Sequence, residues 1–266
     1  MSRIDIRLVS YLAPNMFCFY KAVGAYLARV LDVETHVVQS QYDPLSDPVM
    51  QQDQLDVAFI CGLPFVQLNR ISQLQALLAP VMQASRYQNL PIYFSDIIVN
   101  ADSNLWSFDD LTGKTFCYND PGSNSGYNLV LHRLTQSGHS SFFGKAMQSE
   151  SHQRSIKLIV EGRADCSAID STVLEQELRD APELSKHLRI IESIGPCPMP
   201  PIVVAKHLDS QLIDDLRSAL LHPDTELQSA MEQAQIRRYV PVQCEDYAAI
   251  GMMYDTVEAS LIRLEC

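Results

Sequence analysis

The 266 residues carry 20 Lys and Arg against 32 Asp and Glu, a formal net charge of -12; 47% are hydrophobic and 20% charged. That balance fits a packed chain of one large domain or two smaller ones. It excludes a phosphate-backbone binder, which needs clustered basic residues, because Arg237-Arg238 is the only adjacent basic pair. No apolar run approaches the roughly 18 residues of a membrane span, so neither nucleic-acid binding nor membrane insertion is expected.

The seven cysteines form no CxxC pair. Cys61, Cys117 and Cys166 sit in apolar strand patterns and read as small core residues, whereas Cys18, Cys197, Cys244 and Cys266 are scattered. An odd, dispersed set favours a reduced compartment over a disulfide framework. The histidines are isolated from one another and from cysteine, so no metal and no other cofactor is expected. The N-terminus alternates apolar and polar residues from Ile4 without a basic segment leading into an apolar one, so no signal peptide is expected.

Residues 4–82 alternate strand and helix patterns. Strands are expected at Ile4–Ser10, Thr35–Gln39, Val57–Ile60 and Leu74–Val81, with helices at Phe17–Leu31, near Asp47–Gln52 and at Pro64–Ser72. Strands separated by helices imply a doubly wound, mostly parallel α/β sheet, whose ligands bind beyond the carboxyl ends of the strands. A second block begins with a strand at Ile92–Asn100. It continues through strands at Lys114–Tyr118, Ala146–Gln148, Ala164–Ile169 and Leu188–Ile194, with helices at about Tyr127–Gln136, Gln153–Glu161 and Thr172–Leu178. The proline-rich run Gly195–Pro201 reads as a break before a short strand at Ile202–Ala205. Three helices, at about Asp209–Leu221, Thr225–Gln235 and Tyr247–Leu264, close the chain.

The most informative stretch is Asp120-Pro121-Gly122-Ser123-Asn124-Ser125-Gly126-Tyr127, between a strand and a helix. The first amides of a helix lack intrahelical acceptors and carry partial positive charge, so such a turn can cradle an anion. Ser123, Asn124 and Ser125 add side-chain donors at the same place. The plainer reading is an ordinary N-cap. Ser149–His152 and Asp170-Ser171 also join a strand to the next helix, and in a doubly wound sheet all three turns fall on one rim.

These residues resemble a known family, the periplasmic substrate-binding proteins of phosphonate, phosphite and phosphate ABC transporters, with the type 2 periplasmic-binding fold. The resemblance rests on Leu55–Phe59 running into Gly62-Leu63-Pro64, on Asp110–Phe116, on Asp120–Tyr127, on Ser151-His152 followed by Glu161–Asp165, and on Ala168–Ser171. It implies two lobes, residues 1–91 with 199–266 and residues 92–198, closing on a small oxyanion for uptake through an ABC permease. It implies that Ser123, Asn124 and Ser125 hold the phosphonate oxygens and that His152 contacts the same anion. Asp170 would meet a ligand ammonium, and Tyr11, Phe65 and Tyr93 would complete the ligand site. Asn124 stands where Thr is common, and Phe65 where a Tyr would offer a hydroxyl. The family is periplasmic; the missing leader and the dispersed thiols leave a cytoplasmic sensor of the same fold as the alternative.

The histidine would contribute most as a cation, its proton held by the bound anion. Ser125, His152 and Asp170 also have the composition of a hydrolytic triad. The chain lacks the Gly-x-Ser-x-Gly elbow of such enzymes, and the neighbouring donors suit an anion site better.

Overall fold

The computed structural model describes residues 4–70, 74–138, 142–260, 262 and 264. The expected helix end at 71–72 and Cys266 lie outside them. The chain divides into two compact units: residues 1–92 with 198–248, and residues 93–197 with 249–266.

Unit 1 is built on β1 (Asp5–Ser10), β2 (Glu34–Gln39), β3 (Val57–Phe59) and β4 (Leu74–Met82), interleaved with α1 (Phe17–Leu31), α2 (Pro48–Gln51) and α3 (Gly62–Arg70). Its sheet has the order β11-β4-β10-β3-β1-β2, with β10 at Ile202–Ala205 and β11 at Ile236–Pro241. β1 pairs parallel with β2 and β3, whereas β10 runs antiparallel to both β3 and β4, and β11 antiparallel to β4. The four N-terminal strands therefore point one way, and two strands from the far end of the sequence enter against them. α1 buries Phe19, Tyr20, Val23, Tyr26 and Leu27 at helical spacing, and Tyr20 stacks on Phe59 at 4.2 Å between ring centroids. Helices α7 (Ser210–Leu221) and α8 (Thr225–Gln233) belong to this unit.

Unit 2 has a sheet of order β7-β6-β8-β5-β9, from β5 (Ile92–Asn100), β6 (Thr115–Tyr118), β7 (Lys145–Gln148), β8 (Cys166–Asp170) and β9 (Leu188–Pro198). β6, β7 and β8 are parallel neighbours, and β5 runs antiparallel to β8. Helices α4 (Leu129–Gln136), α5 (His152–Val160) and α6 (Ser171–Asp180) follow β6, β7 and β8 in turn. The core gathers Ile97, Val99, Phe116, Val130, Leu134 and Ala168. It also takes Val257 from α9 (Ala248–Ser260), so the last helix packs with the second unit rather than with the first.

Two further differences from the sequence reading have a common cause. The proline-rich run does not end β9, which continues through Pro196 to Pro198. β11, a stretch for which the sequence reading named no element, is a strand. Both lie at the edge of their sheets, where a missing amide or an adjacent pair of arginines is tolerated because only one side of the strand is paired. No disulfide links the described cysteines; Cys117, Cys166 and Cys197 are buried and Cys61 is half-buried.

Candidate anion-binding site

Because β6, β7 and β8 are adjacent and parallel, their carboxyl ends share one rim, and three helical segments start there. The first opens with a turn of π-helix at Asn124–Asn128 before α4. Ser123 caps it by accepting from the Gly126 amide at 3.0 Å. The second is α5, capped by Ser151, whose hydroxyl accepts from the Arg154 amide. The third is α6, capped by Asp170.

The first turn is held from below by β5. Ser95 donates to the Ser125 carbonyl at 2.7 Å, and the Tyr93 hydroxyl accepts from the Asn124 amide group at 2.7 Å. Asn128 in turn donates to Asn124 Oδ1 at 3.0 Å. Both ends of the Asn124 side chain are thus engaged, and the residue is fully buried. This differs from the sequence reading, in which the Asn124 side chain is a ligand donor: here it ties the turn to β5, leaving its backbone amide at the helix start. Tyr93 likewise sits in the interior, 1% exposed, supporting Asn124. A Cβ at Gly126 would collide with Asn119 Oδ1, so the turn needs glycine there for space.

Ser125 and His152 meet. Ser125 Oγ lies 3.3 Å from His152 Nε2, and both residues are buried. His152 Nδ1 is buried without a hydrogen-bond partner. Burial holds the imidazole down at about 4, so at neutral pH the ring is neutral, contrary to the cationic histidine the sequence suggests. With Nε2 protonated, the ring donates to Ser125 Oγ and leaves that hydroxyl's hydrogen for a third atom.

Asp170 is buried at the head of α6, where Oδ1 accepts from the Thr172 amide at 2.8 Å and from its hydroxyl at 2.7 Å. Burial raises its carboxyl to about 6 against the pull of those hydrogen bonds, and the neighbouring Asp96 adds to the rise. Asp96 accepts from Ser193 at 2.6 Å. With His152 Nδ1 unpartnered and Asp170 capping its own helix, the Ser125-His152-Asp170 relay of a hydrolytic triad is not formed.

Two of the sequence candidates, Phe65 and Tyr11, belong to unit 1. Phe65 is fully buried in α3 and packs edge-on against Tyr247 at 5.1 Å between centroids; it is a core residue, because α3 starts at Gly62 and turns this position inward. Tyr11, at the carboxyl end of β1, donates to Asp47 at 2.9 Å. Sequence reasoning missed Ser95, Asn119 and Asn128. Ser95 and Asn128 fall inside strand and helix patterns where a single polar residue gives no signal; Asn119 borders the turn itself.

A pair of α/β units, one bearing a rim of helix starts, hydroxyls and a neutral imidazole, defines the class: a solute-binding protein of the type 2 periplasmic-binding fold. The chain belongs to the phosphonate family of ABC-transporter periplasmic substrate-binding proteins, whose family model matches residues 9–247. Its fold is similar to a binding protein component of an ABC phosphonate transporter from Pseudomonas aeruginosa (TM-score 0.86, 16% identity, 97% of this chain and 88% of that one). It is also similar to PhnD1 from Prochlorococcus marinus in complex with methylphosphonate (TM-score 0.84, 18% identity, 96% and 98%). An alkanesulfonate-binding protein from Xanthomonas axonopodis bound to MOPS is more distant (TM-score 0.65, 16% identity, 99% and 96%).

Proposed function

We propose that this chain binds a small tetrahedral oxyanion of the phosphonate class on the rim of unit 2 and delivers it, in the periplasm, to an ABC permease. The observation that carries the reading is the convergence of three helix starts on one rim, with Ser125 and His152 in contact between two of them. Backbone amides at positions 124 and 125 and at 152 and 153, together with the Ser125 hydroxyl, would donate to the ligand oxygens. Hydrogen bonds to a charged acceptor in a desolvated site are roughly twice as strong as neutral ones, so uncharged donors suffice for tight binding. Ser123 and Asn124 shape the turn, the first as its cap and the second as its tether. Family membership supports transport rather than turnover.

Calorimetry with methylphosphonate, phosphite, phosphate and methanesulfonate tests the reading. At least one phosphorus oxyanion should bind with micromolar or better affinity, and Ser125→Ala combined with His152→Ala should abolish binding while the protein stays folded. Binding confined to uncharged solutes would overturn the anion assignment. A serine-reactive phosphonate probe should leave Ser125 unlabelled, and deletion of the gene should lower uptake of the ligand so identified.

A further inference from the structure

Unit 1 carries a cleft that involves none of the residues of the unit 2 rim. Its volume is about 480 Å³, the size of a small-molecule site, and it is walled by the end of α7, by α8 and by the start of β11. Leu221, Met231 and Ile236 supply its apolar lining.

β11 turns two arginines into the same cleft. Successive side chains of a regular strand point to opposite faces. The register between β11 and β4 shifts between Ile236 and Arg238, and this bulge lets Arg237 and Arg238 line one cleft together. Arg237 donates to the Gln83 carbonyl at 3.0 Å, and Arg238 donates to the Asn89 carbonyl at 3.1 Å and to the Asn89 side-chain oxygen. These acceptors are neutral, and among the described residues neither guanidinium meets a carboxylate, whereas Arg29, Arg133, Arg154 and Arg217 each do. The bonds to Gln83 and Asn89 use only part of each guanidinium, a fork of several N–H groups. Glu232, exposed on α8, is the one acid of the lining, so the cleft keeps a net positive charge in a chain of net charge -12.

We propose that this cleft is a second ligand site, taking a small organic dianion whose charged head lies across Arg237 and Arg238 and whose body lies on Leu221, Met231 and Ile236. Guanidinium forks match phosphate and carboxylate oxygens in pairs, so two of them together select a doubly charged head. The same arginines hold both ends of residues 83–91, the stretch that leads to the start of unit 2 at Tyr93. A bound dianion fixes the groups that brace this stretch and therefore stiffens it. The inference goes beyond the proposed function and does not rest on it.

Phenyl phosphate is the probe. Calorimetry should show sub-millimolar binding to the wild type and equal binding to Ser125→Ala/His152→Ala, whose changes lie in unit 2. Arg237→Gln and Arg238→Gln should each weaken binding by about tenfold, the loss of a charged donor. Glu232→Gln, a surface change that leaves the fold intact, should strengthen binding severalfold by removing a like charge. Phenol should not bind, and amide hydrogen exchange across residues 83–91 should slow when phenyl phosphate is present. Binding lost in Ser125→Ala/His152→Ala but kept in both arginine variants would put the probe on the unit 2 rim and overturn the inference. No binding to the wild type, phenol binding as tightly as phenyl phosphate, or exchange across 83–91 that does not change would overturn it as well. If methylphosphonate fails to bind while phenyl phosphate binds through the arginines, the proposed function falls and the second site stands.

Discussion

The two units present the carboxyl ends of parallel strands in the same way but finish them differently. In unit 1 the polar groups turn on one another. Tyr11 and Ser40 both donate to Asp47 Oδ2, and Asp47 Oδ1 caps α2 through the Val49 amide. Each of these three donors is answered by the one carboxylate. In unit 2 the structural hydrogen bonds lie one layer below the rim, from Ser95 to Ser125, from Asn124 to Tyr93 and from Asn128 to Asn124. That support sets the Ser125 hydroxyl against the His152 ring at the rim, while the Gly126, Arg154 and Thr172 amides are taken by the caps Ser123, Ser151 and Asp170. A turn whose side chains are fixed from below keeps its helix-start dipoles oriented, whereas in unit 1 one carboxylate gathers the donors of its neighbours.

The comparison breaks most visibly at the buried aromatics. Phe65→Ala removes a fully buried ring from the core of unit 1 and should cost about 3–5 kcal/mol in urea unfolding. Ligand affinity of the folded protein should be unchanged, since Phe65 faces Tyr247. A loss of affinity without a loss of stability would restore Phe65 to the ligand site. Gly126→Ala in unit 2 should do the reverse in proportion. The new methyl displaces Asn119 and deforms the turn, costing about 1–3 kcal/mol of stability but at least tenfold in methylphosphonate affinity.

The sequence carried the rim and not its support. The turn Asp120–Tyr127, the Ser151-His152 pair and Asp170-Ser171 are legible because each is a cluster of small polar residues at a strand-to-helix junction, and alternation places such junctions on one edge. The direction of the Asn124 side chain was not legible, because an amide can face a ligand or a tyrosine hydroxyl with equal chemistry. Only the partners Tyr93 and Asn128 decide between them, 31 residues away on another strand and one helical turn along. The neutral state of His152 was hidden for a similar reason: the desolvation that lowers it comes from packing of the whole unit, with no charged neighbour to mark it in the sequence. The edge strand β11 and the membership of α9 depend on pairing and burial between distant segments, which local periodicity does not record.

The two perturbed groups of the unit 2 rim should also be visible in stability, with opposite signs. The Asp170 carboxyl is raised from 3.8 to about 6, so its contribution is present below pH 4 and is lost as pH rises through 6. The His152 ring is lowered from 6.5 to about 4, so its contribution is present above pH 6.5 and is lost as pH falls toward 4. Between pH 4 and 6 the slopes oppose, each up to about 1.4 kcal/mol per pH unit. Urea midpoints of Asp170→Asn should fall more steeply on acidification than those of the wild type, and those of His152→Gln less steeply. Equal slopes for all three proteins would mean that these groups titrate normally and that the rim is wetter than its burial implies.

The smallest expected effect tests the quieter rim. Tyr11→Phe keeps the ring and removes the hydroxyl that donates to Asp47, a carboxylate that retains Ser40 and the Val49 amide. A carboxylate left with two of three donors is still solvated by its own cap, so the cost should be about 1 kcal/mol, the net worth of one hydrogen bond. Methylphosphonate affinity should move by less than the error of calorimetry if the Tyr11 hydroxyl belongs to Asp47. If affinity instead falls tenfold while the urea midpoint stays, the hydroxyl leaves Asp47 for the ligand on binding. The difference between the rims would then hold only for the ligand-free protein.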